Sequence, residues 1–405
     1  MRSQRTVIIG GGVAAHRCAT VLAASGRAGE VTMISDERTA PYDRTLLSKE
    51  FLSGLVEADD TLLQPGGYED AGVEMVLGRR AVALDPQAHR VELSDRSAIG
   101  YDSLVIATGA HARRTVPGLL TDPRIHVLRD LPDARALRSQ LPGLRRLVVI
   151  GAGFVGCEVA STAASLGCEV VIVDRSARPL AAAVGHAAAE RMAERHHAKG
   201  VRFLGGRAVA LCSTDSGVDV MLGDGTHLSG DAVLVGTGIV PNDRWCPTVT
   251  DLVDETSRLG GISVDAYGRT GVPDVYAAGD CTRRWSPRTR SWLPGGHWRT
   301  AAEHGAAAAR TVLAEGEVAD LEPFDPVPYF WSHQHGLLVQ WLGQVPPGTD
   351  IDSLDVEFDD GEAADTFIAH YRHRGRPVAA LVVGRPREFA ALRREFTVRH
   401  TESAA

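Results

Sequence analysis

The sequence predicts an α/β protein with two Rossmann-like dinucleotide-binding domains and a small α+β C-terminal domain. Three observations carry that expectation. A glycine-rich device occurs twice, at 6–26 and at 147–167. Each copy stands between an apolar strand pattern and a helical pattern, and each is followed by a second β-branched strand ending in an acid. Beyond residue 326, runs such as HGLLVQWLG and RPVAALVVG alternate as antiparallel strands do.

The first copy reads TVIIGGGVAAHRCATVLAASG. Its leading apolar residues suit a buried parallel strand. Gly10, Gly12 and Ala15 then form G-x-G-x-x-A, and an apolar-periodic run suited to a helix follows. The next strand, EVTMISDE at 30–37, ends in Asp36 and Glu37. The second copy, LVVIGAGFVGCEVASTAASLG, places Gly151, Gly153 and Gly156 in the same layout. Its second strand, EVVIVDR at 169–175, reaches Asp174 18 residues after Gly156.

Chemistry explains the spacing. The first two glycines allow a tight turn and let a pyrophosphate approach the backbone. The third small residue lets helix and strand pack closely. The helix N-terminus faces the phosphates, and the distal acid accepts hydrogen bonds from a ribose. One such motif is weak evidence; two, each with strand, helix and acid, predict two dinucleotides.

Three more stretches say which. LVIATGA at 104–110 carries Thr108 and Gly109, AVLVGTGIVPN at 232–242 carries Gly238, and GRTGVPDVYAAGDCT at 268–282 carries Asp280. With these the chain resembles the two-dinucleotide-binding-domain flavoproteins. The resemblance implies FAD on the first fingerprint and NAD(P)H on the second. It also implies domain crossings at the two T-G stretches, and Asp280 on the ribityl chain of the flavin. It places FAD-binding segments at 1–112 and 242–325 around an NAD(P)H-binding insert at 113–241.

The disulfide-reducing members of that superfamily need a C-x-x-C or C-x4-C pair, which the six scattered cysteines do not form. Cys281, beside Asp280, reads as small core filler. Instead stands PYDRTLLSKEFLSG at 41–54, which resembles the P-Y-[DE]-R-x-x-L-S-K segment of oxygenase-coupled ferredoxin reductases, the putidaredoxin and rubredoxin reductase type. VLRDLPDARAL at 127–137, the HW pair at 297–298 and PYFWSHQHGLLVQWLG at 328–343 are similar to further motifs of that family. The likeness spans essentially the whole chain and implies an NADH-dependent flavoprotein that hands electrons to a small iron–sulfur protein, a ferredoxin. It implies FAD contacts from Ala14, Asp36 or Glu37, Arg44, Lys49, Val82, Arg129, Asp280 and Trp298. It further implies that Glu158 holds Lys49 beside the flavin as the catalytic pair. Asp174 favours NADH because it repels a 2′-phosphate, although Arg175 and Arg178 could bind one.

The chain departs from the family at Gly296, Thr300, His304 and His333, where Glu, Asn, Gln and Asp are usual, and RTLL at 44–47 replaces R-P-P-L. Two alternatives stay open, the first of them because of the departures at His333 and His304. One is an FAD-dependent NADH oxidase or dehydrogenase acting on oxygen, a quinone or a small metabolite. The other is a redox-signalling flavoprotein similar to the apoptosis-inducing factors.

Composition excludes other classes. The 405 residues are 44% hydrophobic, with a net charge of −8. That suits two or three globular cores and argues against a nucleic-acid binder. No apolar run is long enough to span a membrane. The basic, apolar start mimics a signal peptide but is broken by Gly10, Gly11 and Gly12 and by His16 and Arg17. A cytoplasmic protein is expected, as monomer or homodimer. The histidines lack nearby ligand partners, so no metal is expected. Within 281–302, Arg283, Arg284, Arg288 and Arg290 stand with no acid, which predicts a basic patch that docks an acidic ferredoxin. The segment 326–405 reads as an independent unit, a small sheet closed by a helix around 385–396.

Overall fold

Val7, Ile8 and Ile9 are buried on both faces of their strand, as a continuous apolar run in a parallel sheet requires. In the computed structural model, which describes residues 4–114, 116, 121–250, 260–363 and 365–402, that strand, Thr6–Ile9, is the middle of a five-stranded parallel sheet. Its neighbours are Val31–Ser35 and then Glu74–Leu77 on one side, and Ser103–Ile106 and then Val275–Ala277 on the other. The order reverses at the central strand, and the first glycine-rich turn sits at that switch point, where open parallel sheets bind ligands. The chain contacts group this sheet with 1–43, 59–111 and 240–326 as one compact unit.

The second unit comprises 44–58, 112–239 and 327–405. Its parallel sheet repeats the plan. Arg146–Ile150 is central, flanked by Glu169–Asp174 and Val201–Gly205 on one side and by Ala232–Val235 and Ile125–His126 on the other. The α/β class and the two Rossmann-like sheets are therefore as the sequence predicts. The segment 44–58, placed above with the first domain, clusters instead with the second unit. The reason is local: Ser48 and Lys49 bond to Glu158, and the Arg138 guanidinium lies 4.8 Å over the Phe51 ring.

The C-terminal segment forms a five-stranded antiparallel sheet, ordered Tyr329–Gln334, Leu337–Gly343, Arg376–Val383, Phe367–His373 and Asp355–Asp360. The helix Pro386–Glu402 follows it. Phe389, Leu392 and Phe396 of that helix pack on Leu342, Ile368 and Val382. The other face of the sheet shares a core with 180–192, where Leu180, Val184 and Met192 meet Phe330, Trp341 and Tyr371. The sheet and helix expected beyond 326 are present, but the segment does not stand alone, because that apolar face is covered from outside it.

Candidate functional site: two phosphate cradles and a buried ion pair

Each glycine of the two fingerprints has one of two jobs. A Cβ on Gly10 would lie 2.1 Å from the Ala107 carbonyl oxygen, and one on Gly156 would lie 2.1 Å from that of Gly151. These two glycines let backbones touch. Gly12 and Gly153 differ: a Cβ on either would meet nothing within 4 Å. They are the N-caps of the helices Val13–Leu22 and Phe154–Ser165, and neither helix has a side-chain cap. Each helix therefore starts beside open space, with no side-chain cap, at the positive end of its dipole, where a phosphate fits. Ala14 and Ala15 are buried beneath the first cradle.

The distal acids are set by their strands. Asp36 is exposed at the end of Val31–Ser35, while Glu37 is half-buried and accepts from the Tyr42 hydroxyl at 2.6 Å. Asp174 ends its strand half-buried. One carboxylate oxygen accepts from the Ala152 N–H of the glycine loop at 3.1 Å; the other accepts from the Ser176 N–H and hydroxyl at 2.9 and 2.8 Å. Arg175 is exposed, and Arg178 is ion-paired with Glu190.

Both T-G stretches are pinned. The Thr108 hydroxyl donates to the Asn242 carbonyl at 2.7 Å, and the Asn242 amide returns a bond to the Thr108 carbonyl at 2.9 Å. Gly109 takes a positive φ of 64° and accepts from the Asn242 N–H. Gly238 accepts from the Arg113 N–H at 2.8 Å. Asp280 follows Gly279 half-buried, and Trp298 opens the helix Trp298–Leu313. Val82 is the bulged residue of the strand Ala81–Asp85 and is 41% exposed. Arg44 and Arg129 meet directly, the Arg44 guanidinium donating to the Arg129 carbonyl at 2.9 Å.

Lys49 and Glu158, 109 residues apart, form an ion pair at 3.0 Å, with side chains only 11% and 9% exposed. The Lys49 ammonium also donates to the Thr45 carbonyl. Glu158 sits on the first turns of the helix Phe154–Ser165, so the second fingerprint itself positions it. On one carboxylate oxygen it accepts from Lys49 and from the Ser48 hydroxyl at 2.5 Å. On the other it accepts from the Ser332 hydroxyl at 2.8 Å and the His333 N–H at 3.2 Å. A buried carboxylate needs this many donors to remain charged. Sequence reading named the pair but not Ser48 or Ser332. The available signal was the period of two in FWSHQ, which turns Ser332 and Gln334 inward with Phe330.

Two departures from the family pattern change meaning here. His333 serves Glu158 through its backbone, and its side chain is exposed. His304 is buried at 3%; its ring stacks on Phe324 at 5.0 Å, and its Nδ1 accepts from the Gly279 N–H at 3.3 Å. Burial lowers its pKa to about 3. Gly296, at a φ of +140°, and Thr300 flank the start of the same helix.

The expected basic patch is corrected by burial. Arg283 and Arg284 are 3% and 5% exposed. Arg283 donates to Ser263 at 2.8 Å and lies over the Trp292 ring. Arg284 pairs with Asp325 at 3.0 Å, and Arg288 approaches the same carboxylate. The acid that faces Arg284 and Arg288 lies outside the 281–302 window, in the segment that leads to the C-terminal sheet. Of the four arginines Arg290 alone is exposed, so together they form no docking face.

None of the six cysteines forms a disulfide, and only Cys212 is exposed. Burial pushes Cys281 up to about 11 and Cys18 and Cys246 up to about 12. Among the described residues no group of three or more His, Cys, Asp or Glu side chains could hold a metal ion, and no helix is long and apolar enough to cross a membrane.

Residues 4–305 match the family model described as pyridine nucleotide-disulphide oxidoreductase, and residues 329–405 match that described as reductase C-terminal. The chain belongs to the pyridine nucleotide-disulphide oxidoreductase family. It is an NAD(P)H-dependent oxidoreductase. The ferredoxin–NAD(+) reductase component of the p-cumate 2,3-dioxygenase system of Pseudomonas putida is 31% identical over 96% of this chain and 92% of that protein. A probable ferredoxin reductase of Castellaniella defragrans is 33% identical over 96% and 92%. Among solved structures, the covalent putidaredoxin reductase–putidaredoxin complex contains a chain of TM-score 0.85 and 29% identity, with 96% of this chain and 92% of that one covered. The two open cradles fit the two dinucleotides this family uses. The scattered, unbridged cysteines do not fit the disulphide chemistry in its name.

Proposed function

We propose that this flavoprotein passes electrons from NADH through FAD to a small iron–sulfur protein, a ferredoxin serving an oxygenase. The observation that carries the reading is the buried Lys49–Glu158 pair in a chain with no cysteine pair. A disulfide reductase relays electrons through a dithiol; here a fixed cation stands in that segment instead. The named relatives, reductase components of ferredoxin systems, point the same way.

FAD takes two electrons as a hydride and gives them up singly. The protein binds, orients and charges. The N–H groups after Gly12 would hold the FAD pyrophosphate, with Asp36 or Glu37 on its ribose and Asp280 on its ribityl chain. Those after Gly153 would hold the nicotinamide dinucleotide, with Asp174 on the adenine ribose. Arg44, Val82, Arg129 and Trp298 complete the proposed FAD contacts. Lys49 would supply positive charge where the reduced flavin carries negative charge, and Glu158 keeps that ammonium in place. NADH is the preferred donor. Asp174 repels a 2′-phosphate, and Arg178, a cation that could attract one, is committed to Glu190.

Steady-state NADH oxidation, with and without a ferredoxin and cytochrome c, tests the proposal. Strong ferredoxin dependence is expected. Fast oxidation by oxygen alone would make the chain an oxidase, and slow reduction with a long-lived complex would make it a signalling flavoprotein.

A further inference from the structure

Glu158 is the end of a hydrogen-bonded chain that none of the proposed steps uses. Ser332 donates to its carboxylate at 2.8 Å. The Gln334 amide donates to Ser332 Oγ at 3.0 Å. Gln334 Oε1 meets His196 Nε2 at 2.9 Å, and His196 Nδ1 meets His335 Nε2 at 2.9 Å. Ser332, Gln334 and His196 are 0%, 3% and 1% exposed, and His335 is half-buried. Three elements and a turn contribute: the helix Phe154–Ser165, the strand Tyr329–Gln334, the helix His186–Ala198, and the turn after the strand, which carries His335.

The chemistry of the groups dictates the direction of every bond. A carboxylate paired with an ammonium only accepts, so the Ser332 hydroxyl must donate to it. That hydroxyl has one proton, so its oxygen accepts from Gln334, which must present its NH2. The amide oxygen then faces His196, whose Nε2 must carry a proton. A neutral imidazole with Nε2–H has a bare Nδ1, so His335 must donate from Nε2. Burial lowers His196 to about 4 and His335 to about 3, which keeps both rings neutral near pH 7. All four bonds point one way, and such aligned chains polarise one another.

We infer that Gln334, His196 and His335 are positioning residues, an anion-ordered chain that fixes the Glu158 carboxylate and through it the Lys49 ammonium. The inference rests on the reading of Lys49 given above. It has two consequences. The charge at Glu158 sets the tautomers of histidines three and four links away, and cutting the chain at Gln334 acts on the reaction only through Lys49.

Ring-nitrogen NMR of histidine-labelled, FAD-loaded enzyme reads the first consequence. In the wild type both rings are expected as the Nε2–H tautomer. In Glu158→Gln the anion is gone and an amide can donate to Ser332, so His196 is expected to become a mixture of tautomers. Unchanged His196 nitrogens in that variant overturn the chain, as does a wild-type His196 protonated on Nδ1. Stopped-flow flavin reduction reads the second. Gln334→Met should slow reduction at saturating NADH about fivefold, the worth of one net hydrogen bond, with the half-saturating NADH concentration unchanged. Added to Lys49→Met, it should slow reduction no further. Full additivity, or a rise in half-saturation with no change in the limiting rate, overturns a positioning role. A normal rate in Lys49→Met alone overturns the reading of Lys49, while the tautomer measurement still judges the chain.

Discussion

Lys49 is where one side chain decides most. Held at 3.0 Å by Glu158 and 11% exposed, it can act only in one place. Lys49→Met keeps the length and removes the charge. Flavin reduction by NADH should slow on the order of 10²-fold, as when other charge-stabilising contacts are lost, while FAD stays bound. Stopped-flow reduction together with flavin content checks both parts, and an unchanged rate would reduce Lys49 to a structural cation. Asp174 carries a different burden. Its carboxylate orders the glycine loop through Ala152 and would also receive a ribose. Asp174→Ala should weaken NADH by about 1.5–3 kcal/mol, typical of a charge-assisted hydrogen bond. NADPH should be weakened less, because a repulsion goes with the acid. A wild type that prefers NADPH at equal concentration would contradict the assignment.

The elements show why some features could be read in advance and others not. The two fingerprints were legible because their physics is local: a turn, an N-terminus and a close contact lie within a few residues. The closest approach of backbones falls on Gly10, the first glycine, in one copy and on Gly156, the third, in the other. The arginine cluster was misread because its counter-charge, Asp325, comes from another segment. The chain from Glu158 to His335 was not foreseen, since its members come from separated segments and only the fold gathers them. One element-scale consequence is also invisible in a motif. Helices Val13–Leu22 and Trp298–Leu313 meet through Ala14, Ala15, Ala19, Ala301, Ala308 and Ala309. At Gly305 a Cβ would lie 2.1 Å from the Ala14 carbonyl oxygen. Backbone cannot yield as a side chain can, so Gly305→Ala should destabilise by roughly 3 kcal/mol, the upper range for overpacking. Because Ala14 lies beside the first cradle, FAD retention should fall with it. Thermal unfolding and flavin content of the variant test this; an unchanged melting temperature would mean the helices part freely.

For the whole molecule, the buried histidines set the response to acid. Burial lowers His196 to about 4 and His304 to about 3, and also lowers the half-buried His16 and His335, to about 4 and 3. In the unfolded chain each returns to about 6.5. Below that pH the unfolded state binds protons that the folded state refuses, so stability falls as pH drops from about 6.5 toward the folded values. At pH 5.5 the two most buried rings should together cost roughly 3 kcal/mol, about one pKa unit each. Asp133 opposes them. Burial raises it to about 6, so it takes up its proton in the folded state first and favours folding over the same range. Burial lowers His126 and His297 as well, so one carboxyl offsets only part of what the imidazoles remove. Asp95 and Asp122, held low by hydrogen bonds, stabilise above about pH 4 and add nothing to the change in this window. Denaturant unfolding at pH 7.0 and 5.5 should therefore show a clear loss at the lower pH. His304→Gln, which restores the residue usual in the family and cannot titrate, should lose less between the two. If the wild type is as stable at pH 5.5 as at 7.0, the rings are solvated and the packing around His196 and His304 is looser than described. If His304→Gln loses as much as the wild type, His304 carries none of the effect.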